Sequence, residues 1–183
     1  MPDLRVALGS LTLANPVLVA AGTFGYGLEF ARTVRLEQLG ALVTKTLTLQ
    51  PRAGHPPPRL VETPAGMLNA VGLQNIGLDA FLRDKLPALR ALRVPLIVSV
   101  LGESAEELTR MARALDGTDG VAALELNLSC PNLRDGSRVK GQRMVAQDPD
   151  ATAAMVQAAR RETRKPILAK LSPDVTDLVP IAQ

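Results

Sequence analysis

The sequence predicts an α/β fold built on a parallel sheet, and three observations predict it. Five short runs rich in leucine, valine, isoleucine or alanine recur, at residues 17–20, 41–46, 96–100, 122–128 and 167–171. Near-continuous apolar runs of this length suit strands buried on both faces. Stretches with helical spacing lie between them, so the order reads β-α-β-α-β-α-β-α-β. Each run also ends in a glycine or a polar side chain, as parallel folds require where ligands gather.

The elements follow in order. Residues 5–8 and 11–13 flank Gly9-Ser10 and read as a small hairpin ahead of the sheet. After the first strand, residues 28–39 carry apolar side chains at helical spacing, and 41–46 form the second strand. The Pro-rich segment 51–58 reads as a long loop on the active face, since the alternating pattern resumes directly after it. Residues 65–75 hold two asparagines and two glycines with no clear helix or strand period. Residues 78–92 read as a helix that Pro87 can break. The third strand, 96–100, is followed by a helix over 104–114. Ser104 and Glu107 form its capping box, and Leu108, Met111 and Ala112 face the sheet. The next helix starts at Asp148 with Pro149 at its first position and runs through Met155, Val156 and Ala159 toward Arg164. On pattern alone this is either an open sheet or the front of an eight-stranded barrel, which needs about 200–250 residues.

Composition bounds the function. With 183 residues, of which 46% are hydrophobic, residues 1–183 are expected to form one domain. A net charge of +3 is too small for a nucleic-acid surface, and one tyrosine with three phenylalanines leaves little to stack bases on. Cys130 is the only cysteine and His55 the only histidine, too few for a disulfide framework, a multi-cysteine metal cluster, a zinc site or a Ser-His-Asp triad; no metal ligands are assigned. No run approaches the 18–20 or so apolar residues of a membrane span. Gly9, Ser10, Asn15 and Pro16 interrupt the N-terminal run, so a soluble, cytoplasmic protein is expected.

The polar residues at the strand ends carry the functional reading. Ala21-Gly22 follows the first strand, Lys45-Thr46 ends the second and Ser99 lies in the third. Asn127 through Asn132 follow the fourth, and Lys170 closes the fifth. Only five lysines occur, and Lys45 and Lys170 both fall at strand ends inside apolar stretches. Either they snorkel out of the core, or together they serve an anionic ligand or electron-rich cofactor. Cys130 is either a small buried hydrophobe or, between Asn127 and Asn132, a thiol placed to move a proton on an amide-rich substrate. Residues 65–75 are a surface loop, or a substrate loop whose backbone and Asn69 bind a carboxylate. The basic run 134–143 reads as a solvated segment able to act as a lid.

Three segments resemble one family. Asn127-Leu128-Ser129-Cys130-Pro131-Asn132, Lys45-Thr46 and Lys170-Leu171-Ser172-Pro173 are similar to the catalytic subunit of dihydroorotate dehydrogenase. The stretch Gly66-Met67-Leu68-Asn69-Ala70-Val71-Gly72-Leu73-Gln74-Asn75 resembles its class 1B, NAD-linked branch. The resemblance spans essentially the whole chain. It implies an FMN-binding (β/α)₈ TIM barrel of which this sequence matches the first five strands or so, truncated before the strands whose glycine-rich loops hold the FMN phosphate. Weak or no FMN binding by the 183 residues alone is therefore expected. It further implies oxidation of (S)-dihydroorotate to orotate in pyrimidine synthesis. Electrons pass to NAD through a separate subunit carrying FAD and an iron–sulfur cluster, with a homodimer of catalytic subunits inside a heterotetramer.

Residue by residue, the resemblance makes Cys130 the base that takes the C5 proton. Lys45 contacts flavin and substrate carboxylate. Asn69, with Ala70, Val71, Gly72 and Leu73, holds the carboxylate and ring. Asn127 bridges substrate and FMN, Asn132 binds the pyrimidine ring, and Lys170 lies by the N1–C2=O edge of the flavin. Ala21, Gly22, Thr46 and Ser99 line the FMN pocket. Three features depart from the family: Ala21 in place of a frequent serine, Ser99 in place of a frequent asparagine, and a longer, more basic segment over 136–147. The alternatives are a fumarate-linked class 1A enzyme, a dihydropyrimidine dehydrogenase domain, and, from another class, an inactive truncated half-barrel. The electron acceptor separates the first from class 1B, and cysteine-rich cluster modules mark the second. The coding sequence after Gln183 bears on the third.

Overall fold

The computed structural model describes residues 2–130 and 144–183. In chain order its strands are β1 (Val6–Leu8), β2 (Leu11–Leu13), β3 (Leu42–Val43), β4 (Leu60–Thr63), β5 (Gly66–Asn69), β6 (Leu96–Val100), β7 (Ala123–Asn127) and β8 (Ile167–Lys170). The helices are α1 (Leu78–Ala80), α2 (Leu86–Arg90), α3 (Ala105–Asp116), α4 (Pro149–Arg160) and α5 (Val179–Ala182). Strands β3, β6, β7 and β8 form a four-stranded parallel sheet in that order. No helix among the described residues is long and apolar enough to cross a membrane.

The crossover helices show why this sequence folds this way. Helix α3 begins where Ser104 Oγ accepts the Glu107 N–H at 3.2 Å, and the Glu107 carboxylate accepts the Glu103 N–H at 3.0 Å. Two donors at the helix start are thereby satisfied. Leu108, Met111, Ala112 and Leu115 form its buried stripe. Helix α4 is capped by Asp148, whose carboxylate accepts from Ala151 N–H, and Pro149 occupies the first turn, where its missing donor costs nothing. It ends at Arg160, four residues before the predicted end.

The two faces of the sheet pack differently. Val98, Val100, Leu124, Leu126 and Leu128 meet Leu108, Met111, Leu115, Met155 and Ala159 of α3 and α4. The opposite face carries Val43, Ile97, Ala123 and Leu168, closed from below by Leu8, Leu11 and Leu13 of the β1–β2 hairpin. Further along each strand this second face changes character, to Ser99, Glu125, Asn127 and Lys170.

Four expectations need correction. The predicted strand at 17–20 contributes only one parallel bridge, Leu18 to Ala41. Pro16 supplies no N–H, and Asn15 Oδ1 takes the Val17 N–H, so local side-chain bonding replaces a ladder there. The predicted helix at 28–39 is instead two 3₁₀ turns, Leu28–Phe30 and Leu36–Gln38. Thr33 and Val34 between them are β-branched, and Arg35 is extended. The stretch 65–75 is not a loop throughout: Gly66–Asn69 pairs antiparallel with Leu60–Thr63 as an arm whose every residue is exposed. Finally, Pro87 does not break its helix. The chain widens into a π-helical turn (Phe81–Lys85) between α1 and α2, and Pro87 falls in the first turn of α2, where a missing donor is tolerated.

Candidate functional site

A hydrogen-bonded network forms where the second face of the sheet turns polar. The register places Ser99 beside Glu125 and Asn127 beside Lys170. Ser99 Oγ donates to Glu125 Oε1 at 2.7 Å, and Lys170 Nζ donates to the same oxygen at 2.9 Å. Thr46 and Ser99 hydroxyls lie 2.9 Å apart, and Asn127 Nδ2 donates to Thr46 Oγ1 at 3.0 Å. Asn127 Oδ1 accepts from the Ser129 backbone and hydroxyl. Thr46 and Ser99 are buried.

A slip in strand pairing explains how Thr46 reaches this face. Val43 pairs with Ile97, whereas Leu47 bridges to Val100. The first strand thus advances four residues while its neighbour advances three. The additional residue is a β-bulge, which re-aims the side chains around it. Without it, strict alternation from Val43 would put Lys45, not Thr46, on the face shared with Ser99. Lys45 is partly buried, and its backbone N–H donates to Gly25 O at 2.6 Å. That bond ties the Ala21–Gly25 turn to the end of β3, with Ala21 buried and Gly22 exposed.

Cys130 lies three residues beyond Asn127. With Asn127, Leu128, Leu101 and Gly102 it lines a cavity of about 10 Å³ that Leu108 and Met155 close from the helix side. That space fits about one water, not a substrate. The cavity that Cys130 lines is walled mainly by side chains of the helix-facing side, Val100, Leu126 and Leu128 among them, and neither lysine lines it.

The 65–75 segment stands apart. Asn69 and Ala70 are exposed on the β4–β5 arm. Beyond them the chain returns to the body, where His55 N–H donates to Val71 O. Gly72, at φ 74°, approaches so closely that a Cβ there would sit 2.7 Å from the His55 backbone nitrogen. Leu73 has φ 55°, a left-handed conformation costly for a side chain of its size, and Asn75 Nδ2 holds its carbonyl at 2.9 Å. Asn75 Oδ1 also accepts the N–H groups of Thr48 and Gly77, which locks the end of the segment against the sheet.

Of the residues the sequence singled out, the structure brings together Thr46, Ser99, Asn127 and Lys170, while Cys130 lines the cavity toward the helices. Lys45 is tied through its backbone to Gly25, three residues beyond Gly22 in the turn that follows Ala21. The structure does not bring Asn69 through Leu73 into the network. Asn132 and the basic run 134–143 lie outside the described residues. Sequence reasoning missed Glu125, the carboxylate that joins Ser99 to Lys170. The signal was present, since it is the one acidic residue within the apolar run 122–128.

A parallel sheet with amide, hydroxyl and ammonium groups at its strand ends places the chain in the class of parallel α/β proteins with a polar rim. Comparison with known proteins makes the class specific. The family model for dihydroorotate dehydrogenase matches residues 3–183, and the chain belongs to that family. It is 52% identical over 182 residues to the dihydroorotate dehydrogenase B (NAD(+)) catalytic subunit of Trichlorobacter lovleyi. It is 55% identical over 177 residues to that of Desulforudis audaxviator. These alignments cover 100% and 97% of the chain but 58% and 56% of the relatives, so the chain spans under three-fifths of their length. The fold also matches the crystal structure of an Eimeria tenella dihydroorotate dehydrogenase, at TM-score 0.77 and 22% identity, over 100% of this chain and 56% of that one.

Proposed function

We propose that the chain forms the first strands of a (β/α)₈ barrel in a cytoplasmic, FMN-dependent dihydroorotate dehydrogenase of the NAD-linked branch. The observation that carries this reading is the convergence of Thr46, Ser99, Asn127 and Lys170 on one face at the carboxyl ends of β3, β6, β7 and β8. The donor chemistry fits a flavin, whose pyrimidine edge alternates acceptors and an N–H. Asn127 Nδ2 commits one hydrogen to Thr46 and keeps one for a ligand. Lys170 commits one of three to Glu125, with its side chain 35% exposed. Bound FMN supplies the hydride acceptor.

The chain's own residues do the rest. Lys45, together with the Asn69–Leu73 backbone and the Asn69 amide, holds the substrate carboxylate, and Asn132 holds the ring. This assignment requires the β4–β5 arm and its return to close over the rim. Cys130 takes the proton from C5 as hydride leaves C6 with its electron pair, so the C5–C6 bond of dihydroorotate becomes the double bond of orotate. The electrons continue to NAD through a partner subunit bearing FAD and an iron–sulfur cluster, in a heterotetramer built on a homodimer of catalytic subunits.

The test is stopped-flow reduction of the flavin by dihydroorotate in the full-length protein. Cys130→Ala is expected to slow reduction by about 10²–10⁴ while orotate still binds. Unchanged reduction removes Cys130 from the chemistry. Turnover with NAD⁺ only when the partner subunit is added supports the branch, whereas turnover with fumarate alone assigns the class 1A reaction instead.

A further inference from the structure

We propose that Glu125 is a positioning residue that acts through Lys170 to set the reduction potential of the flavin bound at this rim. The inference rests on the reading above and goes beyond it, because Glu125 belongs to none of the groups assigned there to flavin or substrate. Its carboxylate is 12% exposed, in the middle of β7, with Ser99 of β6 on one side and Lys170 of β8 on the other. A carboxylate persists in such a place only when paired and hydrogen-bonded. Here one oxygen accepts from both Ser99 Oγ and Lys170 Nζ.

Two consequences follow for the ammonium. A lysine has four side-chain torsions, and the Glu125 contact holds its Nζ at one point above the sheet. The adjacent negative charge also offsets part of its field. Reduced flavin carries more negative charge than oxidised flavin, so a cation near the ring favours the reduced form and a carboxylate behind that cation moderates the preference. Ser99 adds a fixed dipole on the same oxygen and thereby connects the carboxylate to Thr46 and Asn127.

Glu125→Gln removes the charge but keeps an oxygen that accepts from Lys170 and Ser99. In the full-length, flavin-loaded protein, its two-electron midpoint potential is expected to rise. The ratio of affinities for reduced over oxidised flavin grows about tenfold, roughly 30 mV for a two-electron couple. Lys170→Met is expected to lower the potential. In the Lys170→Met background, Glu125→Gln is expected to shift the ratio less than threefold, because it has no ammonium to act on. Glu125→Asp, which keeps the charge, is expected within threefold of the unaltered protein. Where Glu125→Gln does not fold, Glu125→Met carries the same charge loss at similar volume. A potential unmoved by the charge-removing variant, or an equal shift with and without Lys170, overturns the inference while leaving the site reading intact. Failure of the unaltered full-length protein to bind flavin overturns both.

Discussion

On β6, Val98 and Val100 pack against the helices while Ile97 and Ser99 face the other way. On β7, Leu124 and Leu126 lie opposite Ala123, Glu125 and Asn127. The helix-facing side is apolar along its whole length. The other side is apolar only at its lower end, beneath which the β1–β2 hairpin sits, and becomes a chain of hydroxyl, carboxylate, amide and ammonium groups above. The difference teaches where each part of the strand spends its burial. One face makes non-directional contacts that any well-fitting hydrocarbon satisfies. The other makes directional bonds that fail if one partner is lost.

The contrast is broken most severely on the apolar face. Leu124 is fully buried between sheet and helices. Leu124→Ala is expected to cost about 2–5 kcal/mol of stability in the full-length protein, through lost transfer energy and the cavity left behind. Urea unfolding measures it, and the spectrum of bound flavin should not change. A cost below 1 kcal/mol or so means that the helix layer collapses into the gap. Ser99→Ala is the matching change on the polar face. It takes a donor from Glu125 and a partner from Thr46, for an expected loss of about 1–3 kcal/mol. Here the flavin spectrum or affinity is expected to change as well. Lost stability with an unaltered flavin would make the network structural only.

The same contrast explains what could be read in advance. The strands at 96–100, 122–128 and 167–171 and the helices α3 and α4 follow from apolar runs and caps, because Ser104, Glu107, Asp148 and Pro149 act locally. The residues at 28–39 mimic a helix in their apolar spacing, yet the chain there follows Gly25, Gly27 and the β-branched pair Thr33-Val34. The β4–β5 arm was hidden for a different reason. Its Leu60, Val61, Met67 and Leu68 are all exposed, so they lack the burial that makes alternation informative. In the site, Lys170, Asn127, Ser99 and Thr46 were legible as polar residues at strand ends. Their connection through Glu125 was not, because it depends on cross-strand register, and Thr46 reaches the shared face only through a bulge that no local pattern announces.

A second carboxylate sharpens the comparison, and its effect is expected to be the smallest. Asp116, at the end of α3, resembles Glu125 in accepting from a hydroxyl and a nitrogen: Thr163 Oγ1 at 2.6 Å and the Arg164 N–H at 2.9 Å. It differs in lying at the surface, in a contact between a helix end and the loop after α4. The Thr163 hydroxyl first, and the Arg164 backbone second, hold its carboxyl below the ordinary carboxylate range. Folding therefore favours the ionised form. The stabilisation is fully present above the unfolded value of about 4 and is lost as pH falls through the lowered folded value. Asp116→Asn keeps one acceptor oxygen and removes the titration. The decline of the urea midpoint on acidification below about pH 4 should become shallower by no more than a single proton's share, with neutral-pH flavin binding untouched. An acid profile identical to that of the unaltered protein would mean that these two hydrogen bonds form equally well with the protonated acid, and that this carboxylate contributes nothing that pH can withdraw.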